Sequence, residues 1–169
     1  AVEDCIALGV PAAVIFSAGY AESDKDGAAL QEQIAARARA GGLRLVGPNC
    51  LGVFNSEIGF FGTFTQSLDR DKPGPGPVGI ISQSGAYGSH IAYLARKRGI
   101  GVRYWITTGN EADVDVAESL EWMATQSDIA VIMVYVEGVR DGARFRAALD
   151  LARRNRKPVI MMKVGRSEV

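Results

Sequence analysis

Short, continuous apolar runs alternate along the chain with longer stretches in which apolar positions recur every three or four residues. A continuous run of four to eight apolar residues suits a strand buried on both faces, and the spaced pattern suits a helix that covers it. Residues 1–8 read as the end of a helix closed by Gly9, and 11–16 as a short buried strand. Ser23 followed by Asp26 resembles a capping box. It opens a helix in which Leu30, Ile34, Ala35 and Ala38 share a face until Gly41-Gly42 stops it, and a strand over 43–46 follows. Helix, strand, helix, strand with such short breaks is the pattern of a parallel α/β unit.

The periodicity lapses between Gly52 and Lys72, where Phe54, Phe60, Phe61 and Phe64 are separated by polar residues and glycine. Pro73-Gly-Pro-Gly-Pro77 follows, and prolines that cannot donate to a ladder make a stiff connector. A domain boundary is expected there, with the aromatic residues packing in a linker or a domain interface. The alternation then restarts: strand 78–82, helix 85–98, strand 102–107, helix 114–125 capped by Asp113, strand 130–137, helix 141–154 and strand 159–164. Right-handed crossovers between these strands give a parallel, flavodoxin-like sheet with helices on both faces.

Composition narrows the class. Nineteen basic and nineteen acidic side chains in 169 residues leave no net charge, which argues against a nucleic-acid or anionic-membrane surface as the main business of the chain. No apolar stretch approaches the roughly 18 residues of a spanning helix, and no signal segment opens the chain, so a cytoplasmic setting is the expectation. Cys5 and Cys50 belong to no Cys-x-x-Cys pair, so neither a disulfide framework nor a structural zinc site is expected.

In open parallel sheets ligands sit beyond the carboxyl ends of the strands. Four places qualify: Ser17-Ala-Gly19-Tyr, Gly47-Pro-Asn49-Cys50, Ser82-Gln83-Ser84-Gly85 and Val136-Glu137-Gly138. The third starts a helix, whose unpaired first-turn N–H groups, dipole and hydroxyls can converge on an anion such as phosphate. Ser84 as a plain N-cap fits the local sequence equally well. Cys50 as a nucleophile would need a base, and the only histidine, His90, is forty residues away. A hydrolase pair of Ser84 and His90 is excluded by about 9 Å of axial rise along one helix. Glu137 ends an apolar strand, as a functional acid, a solvated strand end or a partner of Arg140. Asn110-Glu111 reads as a possible cap of the helix that follows.

Taken together, Gly47-Pro-Asn-Cys-Leu-Gly52, Val78-Gly-Ile-Ile-Ser-Gln-Ser-Gly85, Thr108-Gly-Asn-Glu-Ala-Asp113, Tyr135-Val-Glu137, Lys157-Pro-Val159 and Lys163-Val-Gly-Arg166 resemble, in wording and order, the nucleoside-diphosphate-forming acyl-CoA synthetases, relatives of the succinyl-CoA synthetase α subunit. The resemblance implies an α/β chain: part of a Rossmann-like CoA-binding domain over 1–56, a linker over 57–77, and a succinyl-CoA-ligase-like flavodoxin-fold domain over 78–169. It implies an acid–CoA ligase that works through an acyl phosphate and a phosphohistidine. The partners implied are CoA, phosphate, a small carboxylic acid, and ATP or ADP with Mg2+ on an ATP-grasp domain or subunit outside this chain, in an oligomer.

By the same resemblance, Ser82, Gln83, Ser84 and Gly85 form a phosphate cradle and Glu137 orients the histidine. Asn49 and Cys50 lie near the reactive end of CoA, and Ser17 and Gly19 touch its phosphopantetheine or nucleotide portion. No metal ligand is expected in the chain. The family's glycine-rich CoA loop would precede residue 1 and its phosphorylated histidine would follow Arg166, so these residues alone are expected not to turn over. An acyl-CoA-sensing region of a protein lysine acetyltransferase is the competing expectation.

Overall fold

The computed structural model of the chain describes residues 1–68 and 72–165. Part of the expected linker (69–71) and Arg166, at the end of one family match, lie outside the described residues.

The first layer is built from α1 (Val2–Ala7), β1 (Ala12–Val14), α2 (Lys25–Ala40) and β2 (Arg44–Val46), with β1 and β2 paired in parallel. Ala38, Leu43 and Leu45 form its small core, against which Val2, Ile6, Ile15 and Ile34 pack. The cap of α2 is Asp24, one residue beyond the Ser23 expected: its carboxyl accepts from Gly27 N at 2.8 Å. The Ser23 N–H closes a turn on Tyr20 O at 2.9 Å, just before the helix starts.

The second sheet has six strands in the order β4-β3-β6-β5-β7-β8. They are β3 (Gly52–Asn55), β4 (Phe60–Thr63), β5 (Val78–Ser82), β6 (Val102–Thr107), β7 (Val131–Val136) and β8 (Val159–Lys163). The helices are α3 (Gly85–Lys97), α4 (Val116–Thr125) and α5 (Gly142–Arg154). The run β6-β5-β7-β8 is parallel throughout, with the first strand of the domain inside and the next two on either side of it, a flavodoxin-type order. All five residues of β5 are buried because helices cover both of its faces. Ile80 packs with Ala92 and Ala95 of α3, and Ile81 packs with Leu120, Met123 and Ala148 of α4 and α5. No helix among the described residues is long and apolar enough to cross a membrane.

Two further expectations change. The aromatic stretch after Gly52 is a hairpin, β3 with β4, added antiparallel to the edge of β6. Phe54 points inward and stacks on the fully buried Trp105, with centroids 5.4 Å apart and planes 12° apart, while Phe61 closes on it at 5.2 Å. Four-residue strands show too little alternation to reveal a period of two, so the hairpin reads as irregular sequence. The second change is at α4, which begins at Val116 and is capped by Asp115, whose carboxyl accepts from Glu118 N at 2.8 Å. Asp113 is taken by the first layer: it accepts from Leu45 N at 2.9 Å and pairs with Arg44 at 2.8 Å.

Candidate functional site

Ser82, at the end of β5, is in register with Thr107 of β6 and Tyr135 of β7, so the segments after these three strands meet at one end of the sheet. Ser82 itself is fully buried and its hydroxyl donates to Ser84 O at 2.6 Å. Gln83 N donates to Tyr135 O at 3.1 Å, extending the β5–β7 ladder by one residue. Ser84 is the N-cap of α3, with its Oγ 3.4 Å from Tyr87 N. Gly85 lets the first turn lie close to the chain after β2: a Cβ there would sit 2.6 Å from Leu51 Cγ. The N–H groups at the start of α3 have no acceptor within the helix and carry its positive dipole end. Ser82 and Gln83 hold the end of the strand, and the open amides belong to the turn that follows.

Glu137 follows β7 and is exposed. The carboxamide of Gln83 holds the backbone there on three sides: Oε1 accepts from Glu137 N at 2.5 Å and Gly138 N at 3.0 Å, and Nε2 donates to Gly138 O at 2.7 Å. Lys163 adds a fourth tie, Nζ to Glu137 O at 2.8 Å, from the end of β8. Thus the start of α3 and Glu137 are neighbours on the same side of the sheet. Arg140, the alternative partner of Glu137, donates instead to the backbone carbonyl of Glu111.

The segment after β6 meets both layers. Asn110 N donates to Pro48 O and Ala112 N to Gly47 O, both at 2.9 Å. Asn49 Nδ2 donates to Asn110 Oδ1 at 3.1 Å, and Asn110 Nδ2 donates to Gln31 Oε1 at 2.9 Å and to Glu22. Glu22 Oε1 also accepts from Gly19 N at 2.5 Å and from Tyr20 N at 3.3 Å. Burial opposes the charge on Glu22, yet these donors prevail and hold its carboxyl at about 2. Ser17 and Asn49 are exposed and adjacent, with Asn49 N donating to Ser17 O at 3.0 Å.

Cys50 is buried, its thiol against the carbonyls of Ile15 at 3.5 Å and Val46 at 3.9 Å, and burial pushes the thiol up. It therefore faces the interior of the first layer, away from the exposed Ser17 and Asn49. His90 is exposed on α3 and stacks on Tyr93, with ring centroids 6.4 Å apart.

Glu111 has more to do than the sequence shows. It is 2% exposed, and its Oε1 accepts from Thr108 Oγ1 at 2.9 Å and from Val116 N at 2.8 Å. The second contact takes up the first N–H of α4, whose N-cap is Asp115, while Asn110 turns to the first layer. Burial pushes the carboxyl up, against hydrogen bonds from Thr108, Gln83 and Val116 N. The signal in the sequence was a carboxylate four residues beyond the end of β6.

The fold and site define an α/β protein of two sheets, with the open amides of a helix start and an acid side by side at the carboxyl ends of its parallel strands. The model of the succinyl-CoA ligase like flavodoxin domain matches residues 75–169, and the chain belongs to that family. A CoA binding domain model matches residues 1–56.

The chain is 40% identical over 169 residues, 99% of its length, to acetate–CoA ligase [ADP-forming] I of Archaeoglobus fulgidus, of which it covers 24%. It is 38% identical over 94% of its length to a trans-feruloyl-CoA synthase from an unknown prokaryotic organism, covering 23% of that protein. Among solved structures, the Ca. Korarchaeum cryptofilum dinucleotide forming acetyl-coenzyme A synthetase 1 in complex with phosphate and ADP superimposes with a TM-score of 0.86 at 34% identity, covering 98% of this chain and 35% of that one. The chain thus spans about a quarter to a third of the length of these relatives.

Proposed function

We propose that this chain is the CoA- and phosphoryl-handling part of an ADP-forming acid–CoA ligase, which interconverts acid, CoA and ATP with acyl-CoA, ADP and phosphate. The observation that carries the reading is the junction of β5 and β7, where Gln83 fastens the backbone of Glu137 beside the start of α3. Phosphoryl transfer needs positioning and charge stabilisation more than a reactive protein nucleophile. The amides at the start of α3, set by the Ser84 cap and the tight turn at Gly85, hold phosphoryl oxygens. Glu137, exposed at their side, orients an imidazole that brings the phosphoryl group from an ATP-grasp domain or subunit, where ATP and Mg2+ bind. A carboxylate fixes the tautomer of such an imidazole and stabilises positive charge on it.

The residues of the first layer fit a CoA thiol arm. Ser17, Gly19 and Asn49 are exposed, small or neutral, beside one another at the ends of β1 and β2. The Gly19 and Tyr20 amides are occupied by Glu22, so this loop suits the uncharged pantetheine better than a phosphate. Cys50 contributes by packing behind that surface.

The test uses the intact enzyme with labelled ATP, a panel of carboxylic acids and CoA. Acid-labile phosphoprotein and acid-dependent thioester are expected together, and Glu137→Gln is expected to abolish both. Undiminished thioester formation by Glu137→Gln would overturn the role given to that carboxylate.

A further inference from the structure

The start of α3 has two different flanks. In the sheet β5 lies between β6 and β7, and Glu137 stands beside the helix start on the β7 side. On the β6 side stands Leu51, whose N–H donates to Thr107 Oγ1 at 3.0 Å and whose side chain lies against Gly85. Phe16 lies across Gly52, where a Cβ would sit 2.8 Å from its ring. Gly52 pairs with Thr63, so Phe64 leaves the hairpin next to Leu51, and its ring meets Phe16 edge-on, with centroids 5.1 Å apart and planes at 72°. The two rings cover little beyond each other: Phe16 is 40% exposed and Phe64 58%. Single exposed rings need no explanation, whereas adjoining ones beside a polar site mark a binding surface. This ledge is held from behind, because Leu51 packs on the core around Phe54 and Trp105, and Thr65 Oγ1 donates to Ser89 Oγ of α3 at 3.0 Å.

The ledge joins the two halves of the site. Phe16 precedes Ser17, and Leu51 follows Asn49 and Cys50 in one turn, so one end of it is the surface assigned to the CoA thiol arm. Its other end is Gly85 and the amides assigned to the phosphoryl group. Phosphoryl transfer sets the entering and leaving atoms on opposite sides of phosphorus. With the imidazole beside Glu137, the entering carboxylate comes from the side of Leu51. Its oxygen bonds to phosphorus as the P–N bond breaks and the bonding pair returns to the imidazole. The CoA sulfur then bonds to the acyl carbon, while phosphate departs with the C–O electron pair and takes up the thiol proton. Both steps keep the acyl carbon between the helix start and Ser17 with Asn49, so the group it carries rests on Leu51, Phe16 and Phe64.

We propose that Phe16, Leu51 and Phe64 form the acyl-binding surface, and that it selects an aromatic acid over a short aliphatic one. The inference rests on the function proposed above and names its substrate class. Two rings set edge to face leave their outer faces free for a third, which adds packing of the same kind. A single methyl group, as in acetate, reaches too few atoms of the ledge to profit from it. With no charged side chain among the three residues, the second carboxylate of a dicarboxylic acid would lose water there without gaining a partner.

The experiment compares phenylacetate with acetate as substrates of the intact enzyme, with ATP and CoA, through the ratio of their kcat/KM values. The native enzyme is expected to favour phenylacetate. Phe16→Ala and Phe64→Ala are each expected to lower the ratio about tenfold, the worth of one buried ring contact. Phe64→Leu, which keeps an apolar side chain, should lower it less. Phe60→Ala removes a comparably exposed ring from the other end of the hairpin and should leave the ratio unchanged. Calorimetry of phenylacetate binding without ATP or CoA reads the surface apart from the chemistry, and Kd should weaken about tenfold in the Phe16→Ala and Phe64→Ala variants. A native ratio of one or less, or a ratio unmoved by both variants, overturns the proposal. An unmoved ratio with a weakened hold on the ATP-grasp part would assign the ledge to a contact between domains, which overturns it equally. If Glu137→Gln forms thioester undiminished, the proposed function fails, and calorimetry still decides whether the ledge holds the aromatic acid.

Discussion

Gly109→Ala probes the place where the two layers meet. Gly109 has φ +58, and a Cβ built there would lie 2.2 Å from Pro48 O and 2.6 Å from Asn49 O. Both obstacles are backbone, so no rotamer relieves them, and the segment after β6 must retreat by about 1 Å to reach ordinary contact. That retreat stretches two hydrogen bonds, Asn110 N to Pro48 O and Ala112 N to Gly47 O, each worth about 1 kcal/mol. A left-handed alanine adds roughly 1 to 2 kcal/mol. The expected loss is therefore about 3 to 4 kcal/mol, or roughly 10 °C in Tm for a chain of this size. Gly99 supplies the control, since it has φ +68 with nothing within 4 Å of its Cβ, so Gly99→Ala should cost only the backbone share. Urea titration and thermal melts of the two variants measure the difference. Equal midpoints would refute the claim that close approach of the turns joins the layers.

Two further outcomes follow from charge and burial. The carboxyl of Glu22 is held at about 2 in the folded chain against an ordinary 4.5, so its stabilisation is fully present above pH 4.5 and lost as pH falls toward 2. Solvent screening limits it to about 1 kcal/mol, and the stability gap between the native chain and Glu22→Gln, followed by denaturant titration, should close across that window. For the thiols, Cys50 is buried with its pKa raised by burial, and Cys5 is partly exposed. A thiol reagent at pH 8 should modify Cys5 first and reach Cys50 only on unfolding; simultaneous modification would contradict the inward-facing thiol.

The parallel core was legible because β5, β7 and β8 are nearly continuous apolar runs, and β5 and β6 keep the bounds read from the sequence. The hairpin was not, since its inward residues, such as Phe54, find their partner in Trp105, far along the chain. Asp113 and Asp115 are equally good caps in sequence. Only the competition of Arg44 and Leu45 N for Asp113 moves the start of α4 to the later one. The site was legible at the strand ends, where Ser84 and Glu137 stand out, because strand order alone makes those ends neighbours. The roles of Gln83 and Glu111 were hidden. Both depend on which atoms a carboxamide and a carboxyl meet across three different loops, and spacing along the chain carries no record of that.

The hairpin β3–β4 lies before the proline-rich connector in sequence and on the far sheet in space. Cleavage between Pro73 and Pro77 would therefore not separate the chain into its two layers. The leading piece would stay clipped to the trailing piece by a borrowed ribbon, Phe54 pressed on Trp105, and by the latch at Asn110. Separately expressed halves divided at that point should find each other and re-form one particle, a natural seam for building a split reporter.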